Sequence, residues 1–262
     1  MRIPFLTGGY ILFGDQIWLI PIFEITTYLL TALLIYHERN RLADFYIDKL
    51  ALLIILFAKP LETIILATKM SNDSPLALPH LPGILIWLIA FALTFALWRK
   101  KPTLAKLTKT SLIWFAVGLL VGLVTSILLA YPGSFQIQPG QLLSKTALFE
   151  PLREIPVLFF YQLGFAAVAE EPLFRGFLWG FLQKSGWKNI WIWLFQAGLF
   201  SIAHFYYISV YPISFWVIIP IGSLVLGLLV WRSKTISACM SAHATLNAFG
   251  NILWRIAASI RI

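Results

Sequence analysis

Apolar runs close to 20 residues long recur from one end of this 262-residue chain to the other. About 20 residues of helix cross roughly 30 Å of hydrocarbon, where a lone segment must satisfy its own backbone hydrogen bonds. The runs predict eight helical spans, near 16–36, 50–68, 83–98, 111–130, 155–182, 190–208, 213–231 and 235–254. The expected fold class is all-α, a polytopic membrane protein. Composition agrees: 60% of residues are hydrophobic, 12% are charged and mean hydropathy is +0.83, whereas a soluble domain carries roughly 25% charged residues. No soluble domain, repeat or low-complexity tract fits between the runs. The longest connection, 131–154, begins YPG and suits a membrane interface. The expected organisation is four spans without a chemical motif over 1–154, a motif-bearing helical core over 155–254 and a short tail, 255–262.

The net charge of +9 sits mostly in Lys and Arg between the runs, so it is a topology signal and no nucleic-acid partner is expected. Loops after the first, third, fifth and seventh spans hold 12 cations, and the opposite side with both termini holds 6. That bias places both termini outside the cytoplasm. The basic stretch 98–109 (WRKKPTLAKLTK) belongs to the same signal, although anionic lipid would also suit it. The single cysteine, Cys239, excludes an intrachain disulfide. The first long apolar run lacks a small-residue exit and is read as a span, not a cleaved signal.

Against this apolar background stands AVAEEPLFRG, 167–176. Ionisable residues inside a span mark a functional site by default. Glu171 and Arg175 are four apart on one helix face and can pair. Glu170 points about 100° away from Glu171, free to meet something else. Pro172 removes a backbone donor, which predicts a kink that leaves the Val168 carbonyl short of a partner. Two later spans carry matched pairs at the same spacing, Phe200 with His204 and His243 with Asn247. Counted from the expected cytoplasmic ends, Glu170, His204 and His243 lie roughly 18, 21 and 12 Å deep. Three residues on three helices at similar depth imply one site. A carboxylate withdrawn from water is a stronger base, able to activate a water with help from a histidine. A second His with an Asn supplies donors for an oxyanion. Ser201, Ser241 and Cys239 have no evident base beside them and suit helix packing.

The ordered set Glu170-Glu171-x-x-x-Arg175, Phe200-x-x-x-His204 and His243-x-x-x-Asn247 resembles the CPBP (Abi) family of intramembrane glutamic endopeptidases, relatives of the CAAX prenyl proteases. The resemblance covers roughly 155–254. It implies that Glu170 activates water, His204 orients it, and His243 with Asn247 forms the oxyanion hole. It makes Glu171 and Arg175 supporting residues and Phe200 a wall of the cavity. It further implies peptide-bond cleavage without a metal or other cofactor. The partners are then a membrane-anchored protein or peptide substrate and the lipid bilayer, in a setting such as the bacterial cytoplasmic membrane.

Two other readings stay open on sequence alone. Glu170, Glu171, His204 and His243 suit zinc, but no H-E-x-x-H is present and Asn247 is left over. A proton-coupled transporter would add Glu24 and the Lys59–Glu62 pair to the relay. Mutual neutralisation of Lys59 and Glu62, with Glu24 satisfied by a neighbouring helix, is the simpler expectation.

Overall fold

The computed structural model describes residues 19–70, 78–104 and 107–261. The start of the first expected span, at 16, and the loop cations Arg2 and Lys106 fall outside them. The chain is a helical membrane protein in which α1 (Leu19–His37), α2 (Lys49–Met70), α3 (Leu81–Arg99) and α4 (Lys109–Leu128) precede a long helical run, α5 (Glu150–Lys184). Then come α6 (Asn189–Ile202), α7 (Ser214–Ser233) and α8 (Ile236–Arg261). Among the described residues, six of these are long and apolar enough to cross a bilayer: α1 to α5 and α7.

The other two depart for physical reasons. α6 is apolar but has 14 residues, ending at Ile202 instead of the expected 208. It covers about 21 Å. His204 lies past its end in a turn, where the ring Nδ1–H donates to the Phe200 carbonyl (2.7 Å) and so caps a helix-terminal acceptor. α8 carries Ser, Thr, His and Asn along its length, and from Ile236 to Thr245 every residue is buried. A helix enclosed by protein on all sides can be polar, because no face has to meet lipid.

Close backbone approach seats α8. Gly118 and Gly122 on α4, spaced G-x-x-x-G, face it so tightly that a Cβ on Gly118 would overlap the Ala238 carbonyl and Ser241 Oγ. A Cβ on Gly122 would overlap the Ala242 carbonyl. Small residues at this spacing let two membrane helices pack backbone to backbone. Ser241 Oγ–H donates across the contact to the Phe115 carbonyl (2.8 Å).

α5 stays helical through Pro172 but not uniformly α-helical. π-helical turns occupy Leu163–Ala167 and Pro172–Leu178, on either side of a short α segment, Val168–Glu171. The π turns flank the position where the sequence predicts a kink at Pro172. Together the π turns rotate the Glu170–Glu171 segment relative to a straight α-helix.

Loop contacts order the ends of the helices. The Thr103 N–H donates to the Arg39 carbonyl (2.8 Å), Lys184 pairs with Asp44 (3.1 Å), and the Ile236 N–H donates to the Tyr46 carbonyl (2.9 Å). The connections after α1, α3, α5 and α7 therefore meet on one face, the cation-rich one. On the opposite face, residues 130–143 lie against the end of α8. Arg255 Nε–H donates to the Gln141 carbonyl and the Leu143 N–H to Ser259 Oγ (2.9 and 2.8 Å).

Candidate active site

Glu170, Glu171 and Arg175 of α5 meet His243 of α8 and Phe200 of α6 in a buried cluster. His243 Nδ1–H donates to Glu171 Oε1 (2.6 Å), and Arg175 Nη1 reaches the same oxygen (3.3 Å). Arg175 Nη2 donates to Ser223 Oγ on α7 (2.8 Å), and its guanidinium lies over the Phe200 ring (4.1 Å). A guanidinium suits this place because it can serve a carboxylate, a hydroxyl and an aromatic face at once. The expected Glu171–Arg175 pair is therefore present. Its unforeseen third member is His243.

Glu171 fixes the His243 ring with Nδ1 protonated, which leaves Nε2 facing Glu170 Oε2 at 4.0 Å. Sequence spacing pairs His243 with Asn247, but the contact across helices is with Glu171. Asn247 Nδ2–H donates instead to Gln162 Oε1 on α5 (3.1 Å), leaving its second amide hydrogen for other use. Phe200 lies between the histidines, 4.6 Å from the His204 ring and 6.2 Å from that of His243. Its ring lines a cavity shared with both histidines.

Glu170, His204, His243 and Asn247 all line one chamber of about 380 Å³. Its walls also include Gln162, Phe165, Tyr207, Tyr211 and, from the 130–143 segment, Gln136. Past the end of α6 the backbone runs as turn and 3₁₀ helix through Phe205–Tyr207, and Tyr207 and Tyr211 face the chamber. Irregular backbone at membrane depth is tolerated where protein covers it or where it borders a watery cavity. Sequence reasoning missed Gln162 and Gln136. Gln162 lies eight residues before Glu170, two helical turns, and that spacing was its one available signal.

Glu170, Glu171 and His243 also place one ligand atom each within 4.8 Å of one another, the spacing a metal ion needs. The set fits a dication poorly. Glu171 Oε1 already accepts from His243 and has a permanent guanidinium charge 3.3 Å away. A divalent ion would meet that like charge in a medium that screens little. Glu170 and His243 Nε2 alone fall short of the three protein ligands usual for catalytic zinc.

Residues 152–249, the stretch that builds most of this chamber, match the family model described as type II CAAX prenyl endopeptidase Rce1-like. Over that stretch the chain is similar to the CAAX protease-like family. No curated protein and no solved structure matched the chain. The matched stretch carries all three motif pairs.

Proposed function

We propose that this protein is an intramembrane glutamic endopeptidase whose chemistry is carried by Glu170, His204, His243 and Asn247. The observation that carries the reading is the shared chamber, lined by a carboxylate, two oriented imidazoles and an amide donor. Glu170 takes a proton from a water that His204 orients through Nε2, since His204 Nδ1–H is committed to the Phe200 carbonyl. The water oxygen bonds to the scissile carbonyl carbon, and the carbonyl electrons move onto its oxygen. Asn247 Nδ2–H and a protonated His243 Nε2 stabilise that oxyanion, with Glu171 as the counter-ion of the imidazolium. When the C–N bond breaks, the proton held by Glu170 passes to the leaving amine. Arg175 keeps Glu171 in place from the side away from the chamber. The substrates are peptides or proteins held at the membrane, and the spans before 155 brace the catalytic helix.

The test is mass spectrometry of peptides released from a membrane-protein library by the purified wild type, Glu170→Ala and His204→Ala, each with and without chelator. Release that disappears in both variants and ignores chelator is the expected result. Loss of wild-type release on chelation moves the assignment to a metal centre. Equal release from all three proteins defeats the reading.

A further inference from the structure

Residues 130–143 lie before the region that matches the family model, yet they close one end of the chamber. The segment is pinned from several sides. The Arg255 and Ser259 bonds hold it to α8, and Gly133 packs so closely on the Trp254 indole that a Cβ would overlap the ring. The Ser214 N–H at the start of α7 donates to Gln136 Oε1 (2.9 Å). That bond settles which way the Gln136 amide faces, because an N–H must meet the carbonyl oxygen. The amide nitrogen of Gln136 therefore points elsewhere. It is buried, and it has no partner among the described residues.

A buried donor left without an acceptor is costly, so in a native fold it calls for an explanation. Gln136 lines the chamber, and the chamber identifies the missing acceptor. Among the described residues, its lining holds no Lys, Arg or Asp, and Glu170 is its one acid. At the far end from Glu170 the polar groups are uncharged: Gln136, Gln141, Asn251 and Tyr211. His243, Asn247, Asn251 and Trp254 line the chamber along one stripe of α8, about 16 Å from first to last. That length holds about five residues of extended chain. An uncharged acceptor repeated along such a track is a peptide carbonyl.

We infer that Gln136 is a substrate-positioning residue, whose free amide N–H holds a main-chain carbonyl of an extended, uncharged peptide segment lying along α8. The inference rests on the peptidase reading of the chamber. It deepens that reading by assigning recognition to a segment outside the family-matched region. Binding here is sequence-tolerant, because every residue of a substrate offers the same carbonyl, and it disfavours charged side chains along the track.

The experiment measures affinity without turnover. A dye-labelled alanine–leucine octapeptide is titrated by anisotropy against full-length Glu170→Gln protein in nanodiscs, with empty nanodiscs as the background. The measurement is repeated with Gln136→Leu or Gln136→Glu added. Gln136→Glu keeps the acceptor for the Ser214 N–H and removes the donor, so a loss seen with it does not come from an unseated segment. Octapeptides with single backbone carbonyls reduced to methylene complete the cycle. The expected result is about tenfold weaker binding with either Gln136 change, the worth of roughly one hydrogen bond. One reduced position should cost the same factor with Gln136 present and nothing further once it is replaced. Additive losses, no loss, or binding no greater than to empty nanodiscs each overturns the inference. Retained cleavage by Glu170→Gln would instead strike at the hydrolytic mechanism and leave this cycle readable.

Discussion

Among the described residues, two clusters of charge lie buried between the spans, and they are built to opposite plans. In the first half, Lys59 lies between Glu24 (2.8 Å) and Glu62 (3.0 Å), joining α1 to α2. Gly164 of α5 packs directly on it, so closely that a Cβ there would overlap the Ala58 carbonyl and Glu62 Cβ. The cluster turns inward, and none of its three members lines the chamber. In the second half, Glu171, Arg175 and His243 are also bound together, but the group continues through Glu170 into an open cavity. Burial of charge in a span is thus a poor sign of chemistry unless a cavity reaches it. Among the described residues, the closed cluster contributes no group to the chamber. The open one gives hydrolysis a place for substrate.

The sharpest way to break this contrast is Glu170→Gln, which preserves shape. Peptide release should fall by about a thousandfold or more, the upper part of the range for losing a positioned base. The melting temperature in detergent should stay within a few degrees of the wild type. Lys59→Met should do the reverse. It leaves two carboxylates buried without their cation, a loss of about 3–5 kcal/mol in stability. Chemical denaturation measures that loss, while turnover per folded molecule should remain near the wild type. If Lys59→Met instead abolished turnover in a folded protein, the two clusters would not be separable.

Asn247→Ala comes next, with turnover expected to drop about a hundredfold, as for loss of one oxyanion donor. Steady-state kinetics should show the effect in kcat more than in KM. The smallest effect concerns charge outside the spans. Glu38, buried just past α1, accepts from Arg41 Nε and Nη2, which holds its carboxyl below the ordinary value of 4.5. A depressed carboxyl stabilises the fold above its unfolded value, and the gain is lost as pH falls through the folded one. Melting temperature followed from pH 6 to 3 should therefore fall less steeply in Arg41→Ala than in the wild type.

What the sequence made legible was whatever a single helix can display. The spans follow from apolar run length, and the pairs at i,i+4 place Glu171 beside Arg175 and His243 above Asn247. Depth counting was enough to group Glu170, His204 and His243. Contacts between helices were not legible, because they depend on rotation and register that no single run encodes. His243 bonds Glu171 instead of serving only with Asn247. Glu24 finds Lys59 across two helices, the neighbour that was expected but not identified. The π turns around Glu170 were signalled only by Pro172. The early stop of α6 depends on the His204 ring bonding its own backbone, a competition that hydropathy does not register.

The polarity of α8 has a consequence for how the chain is made. The helix that supplies two of the four proposed catalytic residues falls short of the apolarity that the six long spans reach. A newly synthesised segment of that kind gains little by leaving the translocon for lipid on its own. Its place is the groove that Gly118 and Gly122 keep open on α4. The earlier helices must then already be assembled when α8 emerges, so the chamber is completed only once α8 has been made and seated.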